Sequence, residues 1–200
     1  MYLKLRSFAA LAALTMATGC SIMHPVAEDY GQYLANNKGE SKFQTVKAGD
    51  QYYLPAATQN HHYEFRSAVT GYANVWVVEF GKMLDATMQS KDVVDALGNV
   101  TKAATESPNA GNVIVFDLQN YTFKDFGTHV SLTISVKNAG GEIFKKTYTV
   151  DGKTQGGKMF WGGAFGMKNA VQQSTKLATD EIITSFIRDL KASTAVASAK

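Results

Sequence analysis

Few side chains in this chain of 200 residues combine a reactive type with a useful spacing. Cys20 is its only thiol, and it directly follows the small residues Ala17-Thr18-Gly19. With no second cysteine there is no disulfide to form within the chain, so that thiol is a candidate for covalent modification. His61-His62-Tyr63-Glu64 holds metal-capable groups. On a strand, adjacent side chains take opposite faces, so His62 and Glu64 share a side that His61 does not. Two ligands fall short of the four that structural zinc takes, and His24 and His129 lie far off in sequence, so no metal is expected. Gly152-Lys153-Thr154-Gln155-Gly156-Gly157-Lys158-Met159 fits the phosphate-cradling pattern G-x-x-x-x-G-K-[ST] in all but its last place. Met159 lacks the hydroxyl that would hold magnesium, and the stretch follows an antiparallel hairpin rather than a parallel strand. Neither nucleotide nor any other cofactor is expected. No G-x-S-x-G elbow and no H-E-x-x-H run occurs. Asp117 and Asp125 are carboxylates that a glycan-cleaving reading would have to pair. The expectation is a protein that is not an enzyme.

A different kind of chemistry, surface recognition, is suggested by Met159-Phe160-Trp161-Gly162-Gly163-Ala164-Phe165-Gly166-Met167. Large apolar rings on a glycine-rich loop mark an interaction site if exposed and a core plug if buried. Phe160, Trp161 and Phe165 are the candidate binding residues, for a protein partner, lipid headgroups or a glycan.

The segment ahead of Cys20 explains its setting. Lys4 and Arg6 form a basic leader, and Phe8 to Met16 is a short apolar run. This is the layout of a secretory signal, and the run is far shorter than the roughly 20 residues a membrane-spanning helix needs. The small residues and Cys20 resemble the lipobox of bacterial lipoproteins, with Ala17 standing where leucine is commonest. That resemblance implies cleavage after residue 19, acylation of Cys20, and an anchor in a membrane. Ser21 occupies the place of the inner-membrane retention aspartate, which implies the inner leaflet of the outer membrane, the domain facing the periplasm. Removing Lys4 and Arg6 with the leader leaves 18 basic and 17 acidic residues. So even a balance excludes a basic nucleic-acid surface.

Periodicity predicts the strands and helices around these residues. Residues 20–41 are polar and punctuated by Pro25, Gly31 and Gly39, and are expected to be a lipidated flexible tether. Residues 42–191 form a single periplasmic domain, and 192–200 a frayed tail. Lys42–Lys47, Gln51–Leu54 and His61–Ser67 read as short strands. Tyr72, Trp76, Phe80, Leu84 and Met88 recur every fourth residue and predict one amphipathic helix, a second following Ser90 through Ala104. An apolar groove between the first helix and the sheet would suit a lipid. Val113–Leu118, His129–Lys137 and Glu142–Val150 read as a meander, with turns at Asn138–Gly141 and Asp151-Gly152. Val171, Ala178, Ile182, Phe186 and Leu190 align on a last helix. The fold class is α+β, a mostly antiparallel sheet with two or three helices on one face, including a long C-terminal amphipathic one.

From Val113 to Leu190 this strand, hairpin (with Lys146-Thr147-Tyr148), glycine-rich turn and helix closing in Arg188-Asp189-Leu190 resemble the YajG-like outer-membrane lipoproteins. More distantly they resemble the auxiliary lipoproteins of envelope transporters. The resemblance implies an accessory role in the cell envelope and brings no catalytic residues. The expected function is a non-catalytic domain that binds an unidentified envelope protein or complex. The alternatives are a carrier of lipid or lipopolysaccharide and an enzyme acting on the cell wall.

Overall fold

The computed structural model describes residues 21–38, 43–106, 111–153 and 159–198, the side chains of 159–161 and 194–198 excepted. Its elements, in chain order, are β1 (Ile22–Pro25), α1 (Tyr30–Asn36), β2 (Gln51–Tyr53), α2 (Ala56–Gln59), β3 (Tyr63–Phe65) and β4 (Asn74–Val78). There follow α3 (Phe80–Met88), α4 (Lys91–Leu97), β5 (Thr101–Lys102), β6 (Val113–Lys124), β7 (Gly127–Asn138), β8 (Gly141–Lys153) and α5 (Met159–Ser198).

The long strands come from the most regular stretches of sequence. Val130, Leu132, Ile134 and Val136 alternate along β7 and are all buried, so one face of the β6-β7-β8 meander closes the core. The other face carries Ser131–Thr149 and Thr133–Thr147 hydroxyl pairs at 3.1 and 2.8 Å. Helix α5 lies across the apolar face. Val171, Ala178, Ile182 and Phe186 are fully buried and Leu190 nearly so, and Phe186 meets Phe116 and Phe144 edge-on. The α+β expectation with helices over one sheet face holds. The sheets are mixed rather than purely antiparallel: the five-stranded order is β5-β2-β6-β7-β8, with β2 parallel to both β5 and β6 beside the antiparallel meander.

A second, three-stranded sheet runs β1-β4-β3, with β1 parallel and β3 antiparallel to β4. It corrects the helix expected over Tyr72–Met88. Only Phe80–Met88 is helical, because Val75-Trp76-Val77-Val78 is β-branched and aromatic and fits a strand buried on both faces. The fourfold spacing of Tyr72, Trp76 and Phe80 is accidental. The second helix stops at Leu97, with Gly98 left-handed, and Thr101-Lys102 joins the large sheet. Of the strand expected over Lys42–Lys47, the described residues 43–47 are not strand. They run past the end of α4, where Val46 and Ala48 amides donate to the Ala96 and Leu97 carbonyls at 2.7 and 3.2 Å. These are carbonyls a helix end cannot satisfy itself.

The tether expectation meets the largest difference. Ile22–Pro25 pairs with Asn74–Val77, Val26 and Tyr30 are fully buried, and Leu34 nearly so. The Gln172 side-chain amide of α5 donates to the Val26 carbonyl at 3.0 Å and to Asp29 Oδ1 at 2.6 Å, and Lys168 bridges Asp29 at 2.8 Å. Three large side chains in a polar stretch, Val26, Tyr30 and Leu34, bind it to the core. At the other end, the backbone is helical to Ser198, beyond the expected fraying at residue 192.

Candidate interaction site

The aromatic side chains gather where the small sheet meets β6. Phe65 stacks on Trp76 with ring centroids 5.5 Å apart and lies 5.0 Å from Phe123. Tyr63 meets Tyr121 at 5.7 Å and donates its hydroxyl to the Phe123 carbonyl at 3.3 Å. His24 completes the stack, lying flat on Trp76 at 5.3 Å and bonded to Asn74 at 2.7 Å. His61 turns inward, edge-on to Tyr121 and Phe80, and burial followed by the charge of His62 holds its imidazole below its ordinary value. His62 lies outward and bonds Glu64 at 2.9 Å, the same-face pair expected. His129 pairs with Asp151 at 2.6 Å on the solvent face of the meander. Among the described residues no three His, Cys, Asp or Glu side chains converge on a possible metal position.

Gly152 has a steric task. It lies within β8, opposite Thr128, and not in a turn as expected. A Cβ there would sit 2.0 Å from the Ser174 carbonyl oxygen, so α5 can touch β8 only at a glycine. Ser174 Oγ donates to the Gly152 carbonyl and accepts the Thr128 amide at 2.6 Å. Next to it, Thr175 is bonded to Tyr121 at 2.9 Å, and burial pushes the Tyr121 phenol up to about 12. This seam fixes α5 on the sheet. Residues 154–158 of the phosphate-loop pattern lie outside the described residues. Asp117 is held by Gln119 at 2.8 Å, and Asp125 occupies the β6–β7 turn, roughly 25 Å further along the strand at about 3.3 Å per residue. A glycosidase pair stands within about 10 Å, so these two carboxylates do not form one.

The groove expected under the first helix is filled. Phe80, Met83, Leu84 and Met88 are all fully buried in the core. A cleft of about 410 Å³ lies instead among α1, the end of α3, the start of α4 and α5, lined by Leu34, Phe43, Ala86 and Val93 with Lys176 and Asp180.

Of the three aromatic candidates, Phe165 is exposed at 83%, the most open large apolar side chain described. The run from Met159 is helical rather than a loop, interrupted at Gly163, whose φ of 54° and ψ of −138° suit glycine alone. That break lets the turn carrying Phe165 leave the axis of the preceding residues. The side chains of Phe160 and Trp161, and all of Cys20, lie outside the described residues.

Phe165 sits with Met23, His24, Pro25, Ala164 and Lys168 around a shallow hollow. Near it are exposed side chains whose sequence setting marks no binding site, Tyr72 having been expected only in a helical stripe. Ile22 and Met23 are half exposed on β1, Val69 is open on the short 3-10 turn Ala68–Thr70, and Tyr72 is 69% exposed just before β4. Hydrogen bonds join these pieces: the Ile22 amide donates to the Ala73 carbonyl at 2.8 Å, and Arg66 donates to Ser21 Oγ at 3.1 Å and to the Tyr72 carbonyl. The only sequence signal was Ile22-Met23 directly after Ser21. Among the described residues, no helix is long and apolar enough to cross a membrane.

No family model matches the chain, nor does any curated protein. Solved structures that resemble it include a crystal structure of a Xanthomonas campestris protein of the family DUF330. It is 9% identical, with a TM-score of 0.46 over 90% of this chain and 100% of that one. Another, the crystal structure of an uncharacterized protein, is 12% identical with a TM-score of 0.40 over 76% of this chain and 99% of that one. Similarity at this level assigns neither family nor function.

Proposed function

We propose that the chain is an outer-membrane lipoprotein, acylated at Cys20, whose α+β domain faces the periplasm as a non-catalytic accessory module. The observation that carries this reading is the lipobox-like run Ala17-Thr18-Gly19-Cys20. Two residues after Cys20, Ile22–Pro25 is paired into the domain, so the proposed anchor directly adjoins the described fold. The YajG-like pattern of the C-terminal half agrees with an envelope role.

The partner surface on this reading is the free edge of β8. Among the described residues this 13-residue strand pairs on one side only, with β7. An open edge offers backbone donors and acceptors to an added strand. Lys145, Lys146 and Lys153 guard it against indiscriminate pairing. Palmitate labelling in cells tests the anchor: incorporation in the native chain and its loss in Cys20→Ala are expected, and labelling that survives the substitution sinks the reading. A photo-crosslinking residue at Thr147 tests the partner: a discrete protein adduct is expected, and crosslinks confined to the chain itself would remove β8 from consideration.

A further inference from the structure

Five of the eight exposed large apolar side chains among the described residues lie at one end of the fold: Ile22, Met23, Val69, Tyr72 and Phe165. The other three, Phe126, Ile143 and Leu177, are scattered over the hairpin turn, the start of β8 and the middle of α5. Single exposed apolar residues are ordinary; five at one end of a fold are not. We infer that this end of the domain is a membrane-contact face that lies in the lipid interface beside the acylated cysteine.

What selects a lipid surface as the occupant is the covalent chain. Two residues span at most about 7 Å, so Cys20 cannot stand farther than that from Ile22 whatever its conformation. Ser21 and Ile22 are themselves tied down, through Arg66 and the Ala73 carbonyl. With no slack between anchor and domain, an acyl chain buried in the leaflet draws this end of the fold to the headgroups. The side chains found there are those that suit such a boundary. Phe165 and Tyr72 are aromatic, and Tyr carries a polar tip at the end of an apolar ring. Arg66 beside them contacts a hydroxyl and a carbonyl, and no carboxylate among the described residues, so its charge is available to phosphate groups. Lipid anchoring by acyl chains is strengthened when the protein contributes a second contact of this kind.

The inference rests on the proposed acylation of Cys20, and the test keeps the two apart. The full chain is expressed in a lipoprotein-processing bacterium with Phe165→Cys, Tyr72→Cys or Ile143→Cys. After acylation of Cys20 the introduced thiol is the only one left to carry an environment-sensitive fluorophore. Each protein is reconstituted in vesicles of phosphatidylethanolamine and phosphatidylglycerol, and its intact mass is recorded. Positions 165 and 72 are expected to show blue-shifted emission and to lose more than half of it to nitroxide-labelled lipids. Position 143 is expected to stay water-like. An acylated mass with water-like emission at 165 and 72 overturns the contact face while leaving the anchor in place. An unacylated mass overturns both. Emission equally shifted at 143 also overturns the face, since insertion would then be the fluorophore's doing.

Discussion

Gly152 shows how a residue with an apparent chemical motif can owe its presence to packing. Its Cβ position is occupied by the Ser174 carbonyl, so Gly152→Ala must push α5 off β8 or bend the strand. Overpacking of this kind costs about 1–3 kcal/mol, and a drop in melting temperature with unchanged far-ultraviolet circular dichroism is the expected outcome. A Gly140→Ala control, at the exposed β7–β8 turn, should move the midpoint much less. His61 gives a second expectation at this scale. Its imidazole is held below 6.5 by burial and by His62, so the unfolded chain takes up a proton before the folded one does. Stability from this site is complete above the ordinary value and is lost as pH falls toward the depressed one. Thermal melts between about pH 7.5 and 5.5 should show the decline, and His61→Phe should flatten it. A slope unchanged by the substitution would assign the pH effect to other groups.

At the scale of elements, the meander and the last helix were legible because each obeys a single period over ten or more residues. Val130 to Val136 alternates, and Val171 to Leu190 returns every three or four positions. The small sheet was not legible, for two physical reasons. Its strands are three to five residues long, too short for a period to establish itself, and Val75–Val78 is buried on both faces and so does not alternate. The apolar spacing of Tyr72 through Met88 therefore fitted a helix by running across a strand and a helix. The N-terminal segment failed differently: β1 and α1 are held by partners 50 and more residues away, which local composition does not register. Tyr30→Ala decides between a tether and a folded element. A tether would feel no change, whereas loss of a fully buried ring costs about 3–5 kcal/mol, read as a lower urea midpoint.

Across the whole molecule, the candidate site divides into parts with opposite prospects of being read in advance. Phe165 was identifiable, since an aromatic between glycines is conspicuous. Ile22, Met23, Val69 and Tyr72 were not, because their grouping exists only after β1 docks on β4 and the 66–73 connection folds beside it. The Cys20 end and the β8 edge now have separate tasks in the proposed function, one toward lipid and one toward protein. Loss of either should leave the other measurable.

The bond from Gln172 to the Val26 carbonyl also bears on the order of events as the chain is made. It joins residues 146 apart, so the clamp that α5 places on this segment closes only when nearly the whole polypeptide is present, whereas β1 can pair with β4 once Asn74–Val78 has been made. Contacts so distant in sequence close late, because the loop entropy must be met before they form. Until α5 arrives, the segment from Val26 to Asp29 lacks the Gln172 and Lys168 contacts that fasten it in the finished fold. On the proposed acylation of Cys20, a processing enzyme would act before this last fastening, and completion of the fold would then draw the segment tight. Timing supplies the slack that the finished structure does not have.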